Sequence, residues 1–228
     1  DLKSGQTLYQ RSAAVARPMA SLTKLMTALL IVENHELNEW VTISAHAAAT
    51  PGSTAHLPAG DSVQVGDLLS SLLVASANDS ASALAEFDAG SEEQFIVKMN
   101  ERAKELGLKL TSYANPMGLD DPRQVSSPRD TAWLTMFVLR FPDIAKRMAM
   151  KTAQFKTKNG VELSVTHTHA LLHDPESGVI AGKTGTTEGA GQCLLSIVED
   201  EDRRYLVVLL SSADRYADMR RILRVIAP

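Results

Sequence analysis

A single cysteine, Cys193, leaves no partner for an internal disulfide and too few thiolates for a Cys-rich zinc module. In its strand-like setting it reads as a small apolar core residue. No run of 18 apolar residues occurs, so nothing in these 228 residues is expected to span a bilayer. No block of Lys or Arg stands out in a chain of net charge −4, which argues against nucleic acid as the main partner. There is no internal period or low-complexity tract, which excludes solenoids and disorder. Asp1 does not open a basic-then-apolar leader; a leader removed earlier, or trimming, would look the same. The two tryptophans, Trp40 and Trp133, read as packing residues. What is present is 44% hydrophobic content, enough for one large domain or two intimate subdomains with a real core.

Strand patterns sit at the two ends of the chain and helices in the middle. "DLKSGQTLYQR" reads as a strand turning at Ser4-Gly5. Residues 22–32 are apolar around almost the whole circumference, the pattern of a buried helix. Short strands, "VTIS" and "SVQV", precede helices in "GDLLSSLLVA", "SASALAEFDAG" and "SEEQFIVKMNERAKELG", the last starting at Ser91 and stopping at Gly107. "NPMGLDDP" is a loop, and a helix resumes from Pro128 until Pro142. After residue 150 the period changes to two: a hairpin turning at Asn159-Gly160, then strands in "GVIAGKTG", "GQCLLSIVED" and "RRYLVVLLSS". The last segment, "MRRILRVIAP", reads as a helix packed on a sheet rather than on a membrane surface. The fold class is α+β: an antiparallel sheet from both chain ends with a helical subdomain inserted, and a cleft between the two.

The buried helix carries a lysine, Lys24, in its first turn, with Ser21 three residues earlier, so the two side chains share a face. A serine hydroxyl becomes a useful nucleophile when a base takes its proton, and a neutral lysine can be that base. Free lysine titrates near 10.4, so work near pH 7 requires a shift of roughly 3 units, about 4 to 5 kcal/mol. Burial near a second cation supplies shifts of that size, and the helix N-terminus adds N–H groups where an oxyanion develops. Alone, such a pair arises by chance about once in a chain of this size. Ser76-Ala77-Asn78, in a break between two helices, reads by itself as an ordinary N-cap. Lys183-Thr184-Gly185-Thr186, at a strand end, reads as a solvated loop or as a site for a carboxylate-bearing ligand.

In that order, S-x-x-K, S-x-N and K-T-G resemble the active-site set of penicillin-binding proteins and serine β-lactamases. With "SGQTLYQRSAAVARPMASLTKLMTALL", "ATPGSTAHLPAGDSVQVGDLLSSLLVASANDSASALAE", "NPMGLDDPRQVSSPRD" and "KTGTTEGAGQCL", nearly the whole chain is similar to low-molecular-mass penicillin-binding proteins of peptidase family S11, serine-type D-Ala-D-Ala carboxypeptidases. The resemblance implies the β-lactamase/transpeptidase-like fold in one catalytic domain, 1–228, with a sheet lobe of about 1–20 and 150–228 and a helical lobe of about 21–149. It implies that Ser21 is acylated by a peptidoglycan stem peptide, that Lys24 is the base, and that Ser76 and Asn78 relay protons and hold the substrate amide. It also implies that Lys183 and Thr184 bind the terminal carboxylate, with Gly185 in the substrate site permitting close backbone approach, and that the N–H groups of Thr186 and Ser21 form the oxyanion hole. Arg215 matches a family arginine that steers the carboxylate; an ion pair with Asp214 or Asp218 is the other reading. β-Lactams are the implied inhibitors, and no cofactor and no metal is expected. The implied location is outside the bacterial cytoplasmic membrane, reached through a leader absent here, with any membrane attachment through a segment outside these residues.

Two departures stand out. Many members carry a second β-rich domain and an amphipathic anchor beyond the position of Pro228, and "THTHALLHD" stands where the family usually shows Asn. A D,D-endopeptidase cutting cross-links would use the same serine and is the alternative function. A class A β-lactamase would need a glutamate for the second-step water; Glu33 and Glu36 in "ENHELN" lie too far along the helix, Glu33 about 18 Å from Ser21. A metal site would draw on His167, His169, His173 and Asp174, which otherwise read as solvated residues at a strand end. A catalytically dead binding protein is the remaining alternative, against which the intact motifs speak.

Overall fold

The helix of residues 22–32 is the hub of the computed structural model, which describes residues 1–226. A 3₁₀ turn, Ala20–Thr23, leads into α1, Lys24–Asn34, and every α1 side chain from Lys24 to Ile31 is buried. Helices α3, α4, α5, α6 and α7 surround it (ranges below). Burying Leu25, Met26, Leu29, Leu30 and Ile31 contributes roughly 8 to 15 kcal/mol. That packing holds the Lys24 amine in the interior, away from water.

In chain order the elements are β1 (Arg17–Pro18), α1, β2 (Trp40–Thr42), α2 (Ala45–Ala48), β3 (Ser62–Gln64), α3 (Val65–Val74), α4 (Asn78–Ala89) and α5 (Glu92–Glu105). There follow β4 (Val125–Ser126), α6 (Pro128–Val138), α7 (Pro142–Met148), β5 (Thr152–Lys156), β6 (Glu162–Thr166), β7 (Val179–Thr187), β8 (Gly191–Asp200), β9 (Arg203–Ser212) and α8 (Arg215–Ile226). Hydroxyl caps set the helix starts: Ser91 Oγ accepts from Gln94 N and Ser127 Oγ from Asp130 N, the latter with Pro128 at the first helical position. Pro142 ends one helix and, as the first residue of α7, starts another.

β7, β8 and β9 form an antiparallel sheet in that order, with Thr184 opposite Leu194, Gly185 opposite Cys193 and Thr186 opposite Gln192. One face sends Ala181, Cys193, Leu195 and Ile197 into the main core. The other, through Leu194, Val198 and Val207, packs on Met219 of α8. The C-terminal helix therefore lies on the sheet, as its apolar residues suggest; Ala227 and Pro228 of that segment lie outside the described residues.

The α+β class holds, but the N-terminal residues do not form the expected strand. Asp1 Oδ1 accepts the N–H groups of Lys3 and Ser4, curling the chain into a turn. A single bond, from Leu2 N to Arg204 O at 2.8 Å, ties this end to the sheet edge. The polar run that follows has no alternating apolar face to bury. The tryptophans are also not core: Trp40 is 43% and Trp133 55% exposed. Trp133 Nε1 donates to Leu106 O, closing the end of α5, and Lys158 sits over the Trp40 ring, both uses of an amphipathic side chain at the surface.

Candidate active site

Ser21 sits in the 3₁₀ turn, directly after Ala20, which has φ +48°. A left-handed non-glycine residue is a strained position, and here it sets the angle at which Ser21 enters the helix. Lys24 Nζ is completely buried and lies 3.0 Å from Ser21 Oγ, 2.7 Å from Asn78 Oδ1 and 2.7 Å from Met117 O. Burial, and then the charge of Lys183, pull its pKa well below the ordinary lysine value, while Asp79 pulls the other way. The two carbonyl oxygens can only accept, so a neutral amine gives them its two N–H bonds. Its lone pair is then left for the Ser21 hydroxyl.

The loop that supplies Met117 O is held by one side chain. Asn115 Oδ1 accepts from the N–H groups of Met117, Gly118 and Leu119. Gly118 has φ +92°, and a Cβ there would stand 2.0 Å from Ala20 O. The loop can therefore press on the Ser21 turn only with glycine at this position.

Ser76 and Asn78 occupy the break between α3 and α4, and Ser76 is left-handed at φ +61°. Asn78 Nδ2 donates to Pro51 O at 2.6 Å, and Ser53 Oγ donates to Ala75 O at 2.8 Å. The Asp79 carboxylate accepts from Ala55 N and Leu57 N. The segment from Pro51 to Leu57 is thus fastened along the break, which brings Ser53 to the rim of the cleft.

β7 forms the opposite wall. Lys183 is fully buried, and Nζ donates to Ser76 Oγ at 2.6 Å and to Thr184 O at 2.8 Å. Burial, and secondly Arg215, lower its pKa to about 7. Thr184 Oγ1 lies 2.6 Å from Thr168 Oγ1. A Cβ on Gly185 would come within 2.7 Å of Ser21 N, so the K-T-G strand and the Ser21 turn touch through that glycine. Between the walls lies a cleft of ≈ 680 Å³ whose lining includes Ser21, Ser53, Ser76, Thr168, Thr184 and Thr186.

All nine residues singled out in the sequence lie at this cleft or directly behind it. Arg215 makes neither expected ion pair: its side chain bonds Gln192 Oε1, Gly185 O, Cys193 O and Thr186 Oγ1, and Asp218 pairs with Arg221 instead. His173 and Asp174 are exposed, as expected, His173 Nε2 lying 3.1 Å from His167 O, but His167 and His169 are not solvated. β6 stops at Thr166, and His167 and His169 are 4% and 0% exposed. His167 Nδ1 accepts from His169 N, and His169 Nε2 lies 2.7 Å from Ser196 Oγ. Burial chiefly holds both neutral, His167 with a pKa of about 3 and His169 of about 4. They brace Thr168 against Thr184. No group of three or more His, Cys, Asp or Glu side chains placed to hold a metal occurs among the described residues. Glu33, at the far end of α1, pairs with Arg102 at 2.6 Å.

Sequence reasoning missed Met117 O, Ser53, Thr168 and Gln192. A backbone carbonyl carries no residue signature, and the other three reach the cleft through contacts distant in sequence. The one available signal was the Asn-Pro-Met-Gly run, whose Asn and Gly suit a tight turn.

Residues 1–213 match the family model described as D-alanyl-D-alanine carboxypeptidase. The D-alanyl-D-alanine carboxypeptidase DacF of Bacillus subtilis (strain 168) is 33% identical over 228 residues, covering 96% of this chain and 58% of that protein. The chain thus spans little more than half the length of that relative. A D-alanyl-D-alanine endopeptidase of Pseudomonas aeruginosa is 29% identical over 231 residues, covering 98% of this chain and 74% of that protein. The crystal structure of the Streptomyces K15 DD-transpeptidase superposes with a TM-score of 0.91 at 30% identity, covering 98% of this chain and 93% of that one.

Proposed function

Because this chain belongs to the D-alanyl-D-alanine carboxypeptidase family of peptidases, we propose that it is a serine D,D-carboxypeptidase removing the terminal D-Ala from peptidoglycan stem peptides. The observation that carries this is the setting of Lys24 Nζ, with two carbonyl acceptors at 2.7 Å and Ser21 Oγ at 3.0 Å. Ser21 Oγ attacks the carbonyl carbon of the penultimate D-Ala while its proton passes to Lys24. The N–H groups of Ser21 and Thr186 stabilise the oxyanion. The C–N bond then breaks as Ser76 gives its hydrogen to the leaving nitrogen and takes one from Lys183, which donates to its oxygen. The proton that Ser21 passed to Lys24 makes good that loss across the two amines, so acylation ends with no net change in protons at the site. Asn78 holds Lys24 and the substrate amide. Lys183 and Thr184, with Gly185 allowing close approach, attract the terminal carboxylate. Water hydrolyses the acyl-enzyme, releasing the shortened stem and restoring Ser21.

β-Lactams acylate the same serine and leave slowly, because Glu33 is engaged with Arg102 far from Ser21. The catalytic unit is the single domain 1–228, its sheet lobe (about 1–20 and 150–228) and helical lobe (about 21–149) meeting where Lys183 reaches Ser76. Peptidoglycan places the enzyme outside the cytoplasmic membrane. No helix among the described residues is long and apolar enough to cross a membrane.

The second reading is a D,D-endopeptidase, favoured by the Pseudomonas relative that this chain matches over 98% of its length. The two differ only in leaving group. Incubation with a stem pentapeptide should release D-Ala faster than purified cross-linked dimer yields monomers. Dimers consumed while pentapeptide stays intact would reverse the choice.

A further inference from the structure

Arg215 is a donor-only side chain, so every group it touches must turn an acceptor towards it. Its Nη1 donates to Gly185 O at 3.1 Å and Cys193 O at 3.0 Å, its Nε to Gln192 Oε1 at 3.2 Å, and its Nη2 to Thr186 Oγ1. Four of the five guanidinium N–H groups are therefore used inside the protein. The backbone N–H of Arg215 also donates to Gln192 Oε1, at 3.1 Å. Two donors on one oxygen fix which way the Gln192 amide faces. Its NH₂ must point away from Arg215, and this nitrogen has no hydrogen-bond partner among the described residues, although Gln192 lines the cleft. The Thr186 hydroxyl, accepting from Arg215, likewise keeps its own hydrogen to give. Thr186 and Gln192 are cross-strand partners, so their side chains stand side by side on one face, with Thr184 two residues along the same face.

We infer that Gln192 is a substrate-binding residue: its NH₂, oriented by Arg215, donates to the carboxylate of the residue that leaves. Arg215 is then a positioning residue that acts through Gln192 and Thr186. This rests on the function proposed above, which supplies a ligand with a carboxylate beside the scissile bond. An anion fits the wall better than a neutral carbonyl. Three N–H or O–H donors converge from Thr186 and Gln192, with the Arg215 charge directly behind them. The acidic side chain among the cleft residues, Asp214, has one oxygen engaged by Ala217 N at the start of α8.

The experiment compares a D-Ala-D-Ala peptide with the same peptide ending in a carboxamide, using Gln192→Leu and Gln192→Glu. Leucine removes the donors. Glutamate keeps an acceptor for Arg215, which protects the local fold, while replacing the donors with negative charge. Gln192→Leu should lower kcat/KM on the free acid by about tenfold or more, the low end for a hydrogen bond to a charged group, mostly in KM. It should change the carboxamide less than about twofold, and Gln192→Glu should lose more than leucine on the acid alone. Arg215→Lys should lose the same acid preference, and its combination with Gln192→Leu should cost less than the two single losses multiplied. Equal losses on acid and carboxamide, or no loss on the acid, would overturn the inference. If the wild type hydrolyses neither peptide, the proposed function falls. Gln192 is then judged by Ser21 acylation with a penicillin against its methyl ester, where only the free acid should distinguish wild type from Gln192→Leu.

Discussion

Replacing Lys183 by Met removes a buried amine whose pKa is lowered to about 7 by burial and by Arg215. In the unfolded chain the same group titrates near 10.4. Between those values the unfolded state binds one more proton than the folded state, so stability rises with pH through that window. At pH 7 the shift costs about 4 kcal/mol, and by pH 9 about half of that is relieved. The wild type should therefore gain about 2 kcal/mol between pH 7 and pH 9 from this group. Met restores none of the hydrogen bonds to Ser76 Oγ and Thr184 O, and each orphaned acceptor costs about 1 to 3 kcal/mol. The two effects largely offset at pH 7, so total stability is a poor readout and the slope against pH is a sharp one. Urea unfolding of both proteins at pH 7, 8 and 9 measures it. The variant should show a flatter profile, lacking the rise that the Lys183 amine contributes. Parallel profiles would refute a buried, depressed amine at position 183.

His167 and His169, held neutral down to about 3 and about 4, should each cost about 2 kcal/mol at pH 5, because the unfolded chain binds their protons from about 6.5 downwards. Acid titration of His169→Gln, which can still reach Ser196, should show about half of that loss removed; an unchanged acid midpoint would contradict it. Gly118→Ala must place a Cβ against Ala20 O, where 2.0 Å is available, at φ +92°. It should destabilise the protein by about 2 to 4 kcal/mol and slow penicillin acylation; wild-type behaviour in both assays would show that the loop does not press on the Ser21 turn.

The parts of the fold that could be read from the sequence are those set by local rules. The apolar run from Leu22 to Val32 became a buried helix, Ser91 a cap, Pro128 a helix start, and Asn159-Gly160 a hairpin turn with Gly160 at φ +88°. The spacing of Ser21 and Lys24 placed them together because three residues is one helical turn. Ser76-Ala77-Asn78 and Lys183-Thr184-Gly185 were legible only as a set. What no spacing carries is the reach from Lys183 to Ser76 across 107 residues. The same holds for the carbonyl of Met117, 93 residues from the lysine it holds. His167 and His169 were misjudged for a related reason: two imidazoles at alternate positions look solvated until Ser196 and Gly182 of the neighbouring strands close over them. Trp40 and Trp133 err in the opposite sense, being large apolar side chains whose polar edge or flat face is used at the surface.

Intact-mass spectrometry after rapid mixing with a penicillin tests Ser21 and Lys24 together. The wild type should gain one adduct, mapped to Ser21 and persisting after the free drug is removed. Ser21→Ala should gain none, and Lys24→Ala should gain it at least about a hundredfold more slowly, the low end for loss of a general base. Labelling of Ser21→Ala at the wild-type rate, or rapid loss of the adduct with multiple turnover of the drug, would contradict a Lys24-activated Ser21 peptidase.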